Sequence, residues 1–143
     1  MRRRCRRSAA VGTVDAMSVK VELGELATTL ADFDVAYLVT VSDDGRAHVL
    51  SVWAEPTDRG LVVEGVGRHT QANAAARPEV TLVFPPQQQG GYSLLVDGQA
   101  TVDGTTVTVV PATAILHRPA VAPDGRRAGS DCVDVDLAAR RGG

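Results

Sequence analysis

The chain is poor in aromatic residues: Phe33, Tyr37, Trp53, Phe84 and Tyr92 are all that 143 residues contain. Repeated stacking of nucleic-acid bases needs a series of such platforms, so a nucleic-acid partner is not expected. Cysteine is nearly absent too. Cys5 and Cys132 lie in opposite tails, which gives neither a metal-ligand spacing nor a disulfide framework and fits a reducing cytoplasm. No apolar run approaches the ~20 residues of a membrane helix. The sequence contains no dinucleotide glycine fingerprint, no phosphate loop and no nucleophile elbow. His117 has no carboxylate or second histidine at useful spacing, and no metal site is expected.

The formal net charge of −2 conceals an asymmetry. Residues 1–16, MRRRCRRSAAVGTVDA, hold five arginines and one acid; taking these from totals of 15 and 17 leaves 10 basic and 16 acidic residues. An arginine cluster can mark a nucleic-acid contact or a targeting signal. No apolar stretch follows it, and the body is acidic. The expectation is a basic extension over 1–16, with Met17 as the natural start. A single domain then covers 17–117, and a tail rich in Pro, Gly, Arg and Asp covers 118–143. Within that tail Val133, Val135 and Leu137 alternate as an added strand would.

Leu23, Leu26, Ala27 and Leu30 recur at helical spacing and predict an amphipathic helix over Glu22–Phe33. Val35–Val41 is a compact β-prone run, Asp44-Gly45 suits a tight primed turn, and Arg46–Glu55 returns as the partner strand. Pro56–Gly60 reads as a second turn and Leu61–Val66 as a third strand. A helix over His69–Arg77 follows, ended by Pro78, with Ala72, Ala75 and Ala76 on one face for close packing. Val80–Phe84 is a fourth strand. Of two Asp-Gly pairs, Asp103-Gly104 is assigned the turn and Gly98 a bulge or bend in a strongly curved sheet. Ala112–Leu116, set off by Pro111, is a last strand. Some six antiparallel strands with two short helices make a mainly β (α+β) small barrel, closed or partly closed. Both faces of Arg46–Glu55 carry apolar residues, so a second copy of the chain is expected to cover one of them.

The stretch GVGRHTQANAAARPEV places Arg68, His69 and Thr70 where the second helix begins. Two readings stay open from the residues alone. One is a solvated turn with Thr70 capping the helix; the other is an anion cradle at a helix N-terminus. His48 reads as a partly buried or rim histidine, Trp53 as core or cofactor platform, and Cys132 as a spectator thiol.

The order LVTVSDDGRAHVLSVW, GVGRHTQANAAARPEVTLVF, YSLLVDGQATV resembles the pyridoxamine-5′-phosphate-oxidase-like family of flavin-binding split barrels, especially its small actinobacterial members. The likeness spans roughly Ala36–His117. It implies an antiparallel split β-barrel that is a homodimer, with FMN, or in some branches a deazaflavin, in the groove between subunits. By that resemblance Val52 and Trp53 line the flavin ring, with Glu64 and Val66 on the neighbouring strand. Arg68, His69 and Thr70 face the phosphate, Asn73 matches an asparagine common in the helix, and Tyr92 closes the site from the other subunit. The chain departs from the family where an Arg-Lys pair is typical, offering His69 and Thr70, with Arg68 one place earlier. One permanent cation stands where two are expected. The implied activity is a flavin-dependent oxidoreductase on a small molecule, though not a true pyridoxamine-phosphate oxidase. The alternatives are a non-catalytic flavin or deazaflavin storage module and a dimeric barrel without a cofactor.

Overall fold

The computed structural model describes residues 18–129. The basic segment, Met17, both cysteines and the Val133–Leu137 alternation lie outside the described residues. Strand β1 (Ser18–Val21) leads into one 3-10 turn (Leu23–Glu25) and helix α1 (Leu26–Leu30). The single helix expected over Glu22–Phe33 is therefore short and split. Gly24 and the β-branched pair Thr28–Thr29 weaken it, and burial of Leu26 and Leu30 anchors what remains.

Strands β2 (Ala36–Val41) and β3 (Ala47–Val52) form the expected hairpin, in unbroken register from Ala36↔Val52 to Val41↔Ala47. Gly45, at φ 79°, supplies the left-handed residue of its turn. The single return strand expected over Arg46–Glu55 is two strands. Beyond Val52 the chain parts from β2, and β4 (Glu55–Thr57) pairs with β5 (Gly60–Val63) instead. The turn expected over Pro56–Gly60 contracts to Asp58–Arg59, because Thr57 and Gly60 are already partners. The third strand likewise stops at Val63 rather than Val66.

Helix α2 (Arg68–Ala76), β6 (Glu79–Phe84), β7 (Ser93–Asp103) and β8 (Thr106–His117) follow. Gly104 makes the β7–β8 turn at φ 59°, as read from Asp103-Gly104. The separate strand expected over Ala112–Leu116 is the second half of β8, which runs unbroken through Pro111. Gly98 makes no bulge against β6. The β6–β7 register passes through Val80↔Gly98 without a slip. What needs glycine there is a close approach, since a Cβ at 98 would lie 2.5 Å from the Val110 carbonyl oxygen. On the other flank of β8, a Cβ at Gly60 would lie 2.4 Å from the Val109 oxygen.

The sheet runs β3-β2-β6-β7-β8-β5-β4, with β1 pairing β8 off this path. Its two ends, β3 and β4, are separated in the chain only by Trp53 and Ala54. That link spans at most about 10 Å, so the sheet curls to bring the end of β3 near the start of β4, while the two strands stay unpaired. The result is an antiparallel split barrel. Strand alternation fills its interior with Leu38, Leu82, Leu94, Val96, Val63, Val107 and Val109, all fully buried or nearly so. Each such side chain contributes about 1.5–3 kcal/mol relative to exposure.

Helix α2 packs through Thr70, Asn73 and Ala74, which are buried, and not through Ala72, Ala75 and Ala76, which are exposed. The polar face turns inward because it finds a partner there: the Asn73 amide donates to the Thr40 hydroxyl at 3.2 Å, both residues being buried. At the other end of the helix, Arg77 Nε donates to the Val41 carbonyl at 2.8 Å. Its Nη2 meets Asp43 at 2.6 Å, tying α2 to the β2–β3 hairpin.

The barrel, 20–116, is one of two compact units. In the other, the described residues place Ser18 Oγ 3.2 Å from His117 Nδ1. Strands β9 (Ala120–Val121) and β10 (Arg127–Gly129) pair there as a short hairpin. Among the described residues, no helix is long and apolar enough to cross a membrane.

Candidate functional site

Strand β3 ends the sheet path, so one of its edges has no strand partner among the described residues. Cross-strand pairing assigns its faces. His48, Leu50 and Val52 lie opposite Thr40, Leu38 and Ala36 and turn toward the barrel interior, whereas Ala47, Val49 and Ser51 turn outward. Trp53 continues the outward set and is 70% exposed, with Val49 at 56% and Tyr37 at 40%. An indole left this open is unusual for so apolar a side chain.

The chain between β5 and α2 is held from three directions. Gly65 takes φ 74°. The Val66 amide donates to the Thr105 carbonyl at 3.0 Å while its side chain is buried. The Gln71 amide group donates to the Val66 carbonyl at 2.8 Å. This fixes Gly67 as an extended N-cap residue with no side-chain cap. The first intrahelical backbone bond is from Gln71 N to Gly67 O at 3.0 Å. The amide groups of Arg68, His69 and Thr70 precede it and have no acceptor within the helix. They add to the partial positive charge of the helix start. Arg68 and His69 are exposed at that end. His48, reaching across from β3, places its ring centroid 6.3 Å from that of His69.

The residues singled out from the sequence thus fall into distinct groups. Arg68 and His69 stand together at the α2 N-terminus, and Trp53 is open on the outward face. Val52 and Val66 are core residues, so their side chains are turned into the barrel. Thr70 does not cap the helix: it lies within α2, is 2% exposed, and offers a ligand no side chain. Asn73 is buried against Thr40. Glu64 is exposed between β5 and α2. Tyr92 is half-buried just before β7, past the Phe84↔Leu94 pair and at the far end of β7 from Glu79↔Gln99.

One member of the cluster at the α2 N-terminus was not legible as such. His48 reads as a rim histidine from its own strand, and only the return of α2 over β2 brings it to His69. Among the described residues, no group of three or more His, Cys, Asp or Glu could hold a metal ion. The arrangement can hold an anion at the start of α2 and present an aromatic platform farther along β3. Trp53 lies five positions beyond His48, about 17 Å of extended chain at ~3.4 Å per residue.

No family model matches the chain. An uncharacterized protein of Mycobacterium bovis is 41% identical over 132 residues, spanning 80% of this chain and 91% of its own length. Among solved structures, a protein of Listeria innocua described as a candidate pyridoxamine 5′-phosphate oxidase superposes with a TM-score of 0.55 at 13% identity, covering 65% of this chain and 95% of that one. The FAD-binding protein of Mycobacterium smegmatis gives 0.52 at 18% identity, over 71% and 99%. At such identities the structural likeness is one of fold.

Proposed function

We propose that this chain, whose fold is that of pyridoxamine-5′-phosphate-oxidase-like split barrels, is a flavin-binding homodimer acting as an oxidoreductase on a small molecule. The observation that carries this reading is the edge of β3 that has no strand partner among the described residues. It runs from the Arg68–His69–His48 cluster, on the inward side at one end, to the open indole of Trp53, on the outward side at the other, so that a ligand would cross this edge. FMN has the same polarity, with a phosphate separated from a flat ring by the ribityl chain. The residues present fit it with one qualification. The phosphate end has a single permanent cation, Arg68, beside two imidazoles, and Thr70 is buried. The amide groups of the first turn of α2 supply the remaining donors.

When bound, the flavin would supply the redox chemistry, and the protein's part is to bind and orient it. Arg68 and the helix start hold the phosphate, Trp53 lies along the ring, and the outward face carrying Tyr37 and Val49 packs against a second subunit. That the M. smegmatis protein of this fold binds FAD supports a flavin over a smaller anion.

Titration of the purified protein with FMN, FAD and a deazaflavin, followed by cofactor fluorescence, tests the proposal. Saturable FMN binding is expected. Arg68→Ala should weaken it about tenfold, the usual scale for one charge-assisted phosphate contact. Equal affinity in the variant would move the phosphate elsewhere. Tighter deazaflavin binding would reassign the cofactor, and no binding of any flavin would refute the proposed function.

A further inference from the structure

Helix α1 separates two surface grooves of different character. On one side, a groove between α1 and the β4–β5 turn carries Asp58 and Arg59, one charge of each sign. On the other, a cleft of about 500 Å³ opens between α1 and the β3–β4 link, within the size range of small-molecule sites. Its floor is apolar: Leu30 and Phe84 are buried, Phe33 is half-buried, and the two phenyl rings meet edge to face with centroids 6.1 Å apart. Trp53 stands exposed at its wall. The charged residues that line it are Asp34 and Glu55, both exposed, and no Lys, Arg or His lines it among the described residues.

These features select a ligand by chemistry. The apolar floor and aromatic wall take a hydrophobic body. Two carboxylates at the rim of a low-dielectric hollow focus a negative potential into it, which repels anions and favours a cation. The negative face of an indole is the best aromatic partner for an ammonium group. We propose that this cleft binds an apolar small molecule carrying an ammonium group. On the flavin reading above, on which this last step rests, that molecule is the substrate, held beside the ring through the Trp53 the two sites share.

Trp53 is the chain's sole tryptophan, so in the flavin-free chain its emission reports on occupancy of the cleft it lines. The test titrates the flavin-free full chain with benzyltrimethylammonium, then with benzyl alcohol and phenylacetate as neutral and anionic analogues. Saturable change in Trp53 emission with the cation is expected, at about tenfold lower concentration than with either analogue. The double variant Asp34→Asn, Glu55→Gln should erase that preference while thermal unfolding stays unchanged, since both residues are exposed. An equal response to all three probes, or undiminished cation binding by the double variant, would overturn the proposal. Flavin binding is read separately from flavin fluorescence. Cation binding in a chain that takes no flavin would uphold the cleft and remove its substrate role. Flavin binding without cation selectivity would leave the proposed function standing and this inference refuted.

Discussion

Asp44 shows how one side chain's surroundings fix a turn. The Ser42 hydroxyl donates to its carboxylate, and backbone amide donation adds to this. These bonds favour the charged form, so the carboxyl loses its proton below the ordinary aspartate range, chiefly because of Ser42. A group whose affinity for protons falls on folding stabilises the fold above its unfolded value, near 3.9. That contribution is lost as pH drops through the lowered folded value. Ser42→Ala should raise the Asp44 midpoint toward the ordinary one, as read by carboxyl-carbon NMR through an acid titration. An unmoved midpoint would assign the shift to the backbone amides. Asn73 shows the complementary case within the core. Its amide is tolerated there because Thr40 accepts its hydrogen bond at 3.2 Å, where a buried donor without a partner would cost about 1–3 kcal/mol.

Among the elements, β8 governs the barrel's curvature. At Val109–Val110 it is approached from both sides by glycine, Gly60 on β5 and Gly98 on β7. A methyl group at either position would meet a backbone carbonyl at 2.4–2.5 Å, and backbone cannot step aside as a side-chain tip can. Gly60 also holds φ 134°, which an L side chain rarely adopts. Gly98→Ala should therefore destabilise the protein by about 2–3 kcal/mol, the upper part of the overpacking range, and Gly60→Ala by at least as much. Denaturant unfolding checks both; a loss below about 0.5 kcal/mol for Gly98→Ala would mean β8 can relax. The hairpin around Asp44-Gly45, the β7–β8 turn at Asp103-Gly104 and α2 were all legible in the sequence, because turn chemistry and helix stops are local. The partner exchange between Val52 and Glu55 was not. Both halves of that run are β-prone, and only the curl of the sheet decides where the strand changes neighbours. For the same reason the close approach at Gly98 was not legible, its crowding neighbour Val110 being distant in sequence. The site divided likewise. Arg68 and His69 were visible from their place before a helix, whereas Thr70 and Asn73 proved to be packing residues. His48, Phe33 and Phe84 joined their neighbours only through tertiary contact.

At the scale of the whole molecule, the outward face of the β2–β3 hairpin is the part a single chain leaves unfinished. Tyr37, Val49 and Trp53 are 40%, 56% and 70% exposed there. The β2–β3 register sets Tyr37 opposite Ser51 and Val39 opposite Val49, and the β2–β6 register adds Val83 beside Tyr37. A contiguous apolar strip on a sheet with a free edge favours association, and a two-fold pairing of identical strips is the simplest closed solution. Such pairing would also draw a second copy over Trp53, excluding water from the flavin ring in the proposed site. Val49→Glu tests this at the level of assembly. A two-fold contact brings each substitution in twice, so one change places two carboxylates in the apolar strip of the proposed interface. Sedimentation should show a dimer for the parent chain and a monomer for Val49→Glu, with unchanged far-UV circular dichroism. FMN affinity should fall in the same variant, although Val49 lies outward of the phosphate cluster. A parent chain that sediments as a monomer at micromolar concentration would refute the dimer. A monomeric variant with undiminished FMN affinity would instead show that each subunit holds its cofactor alone.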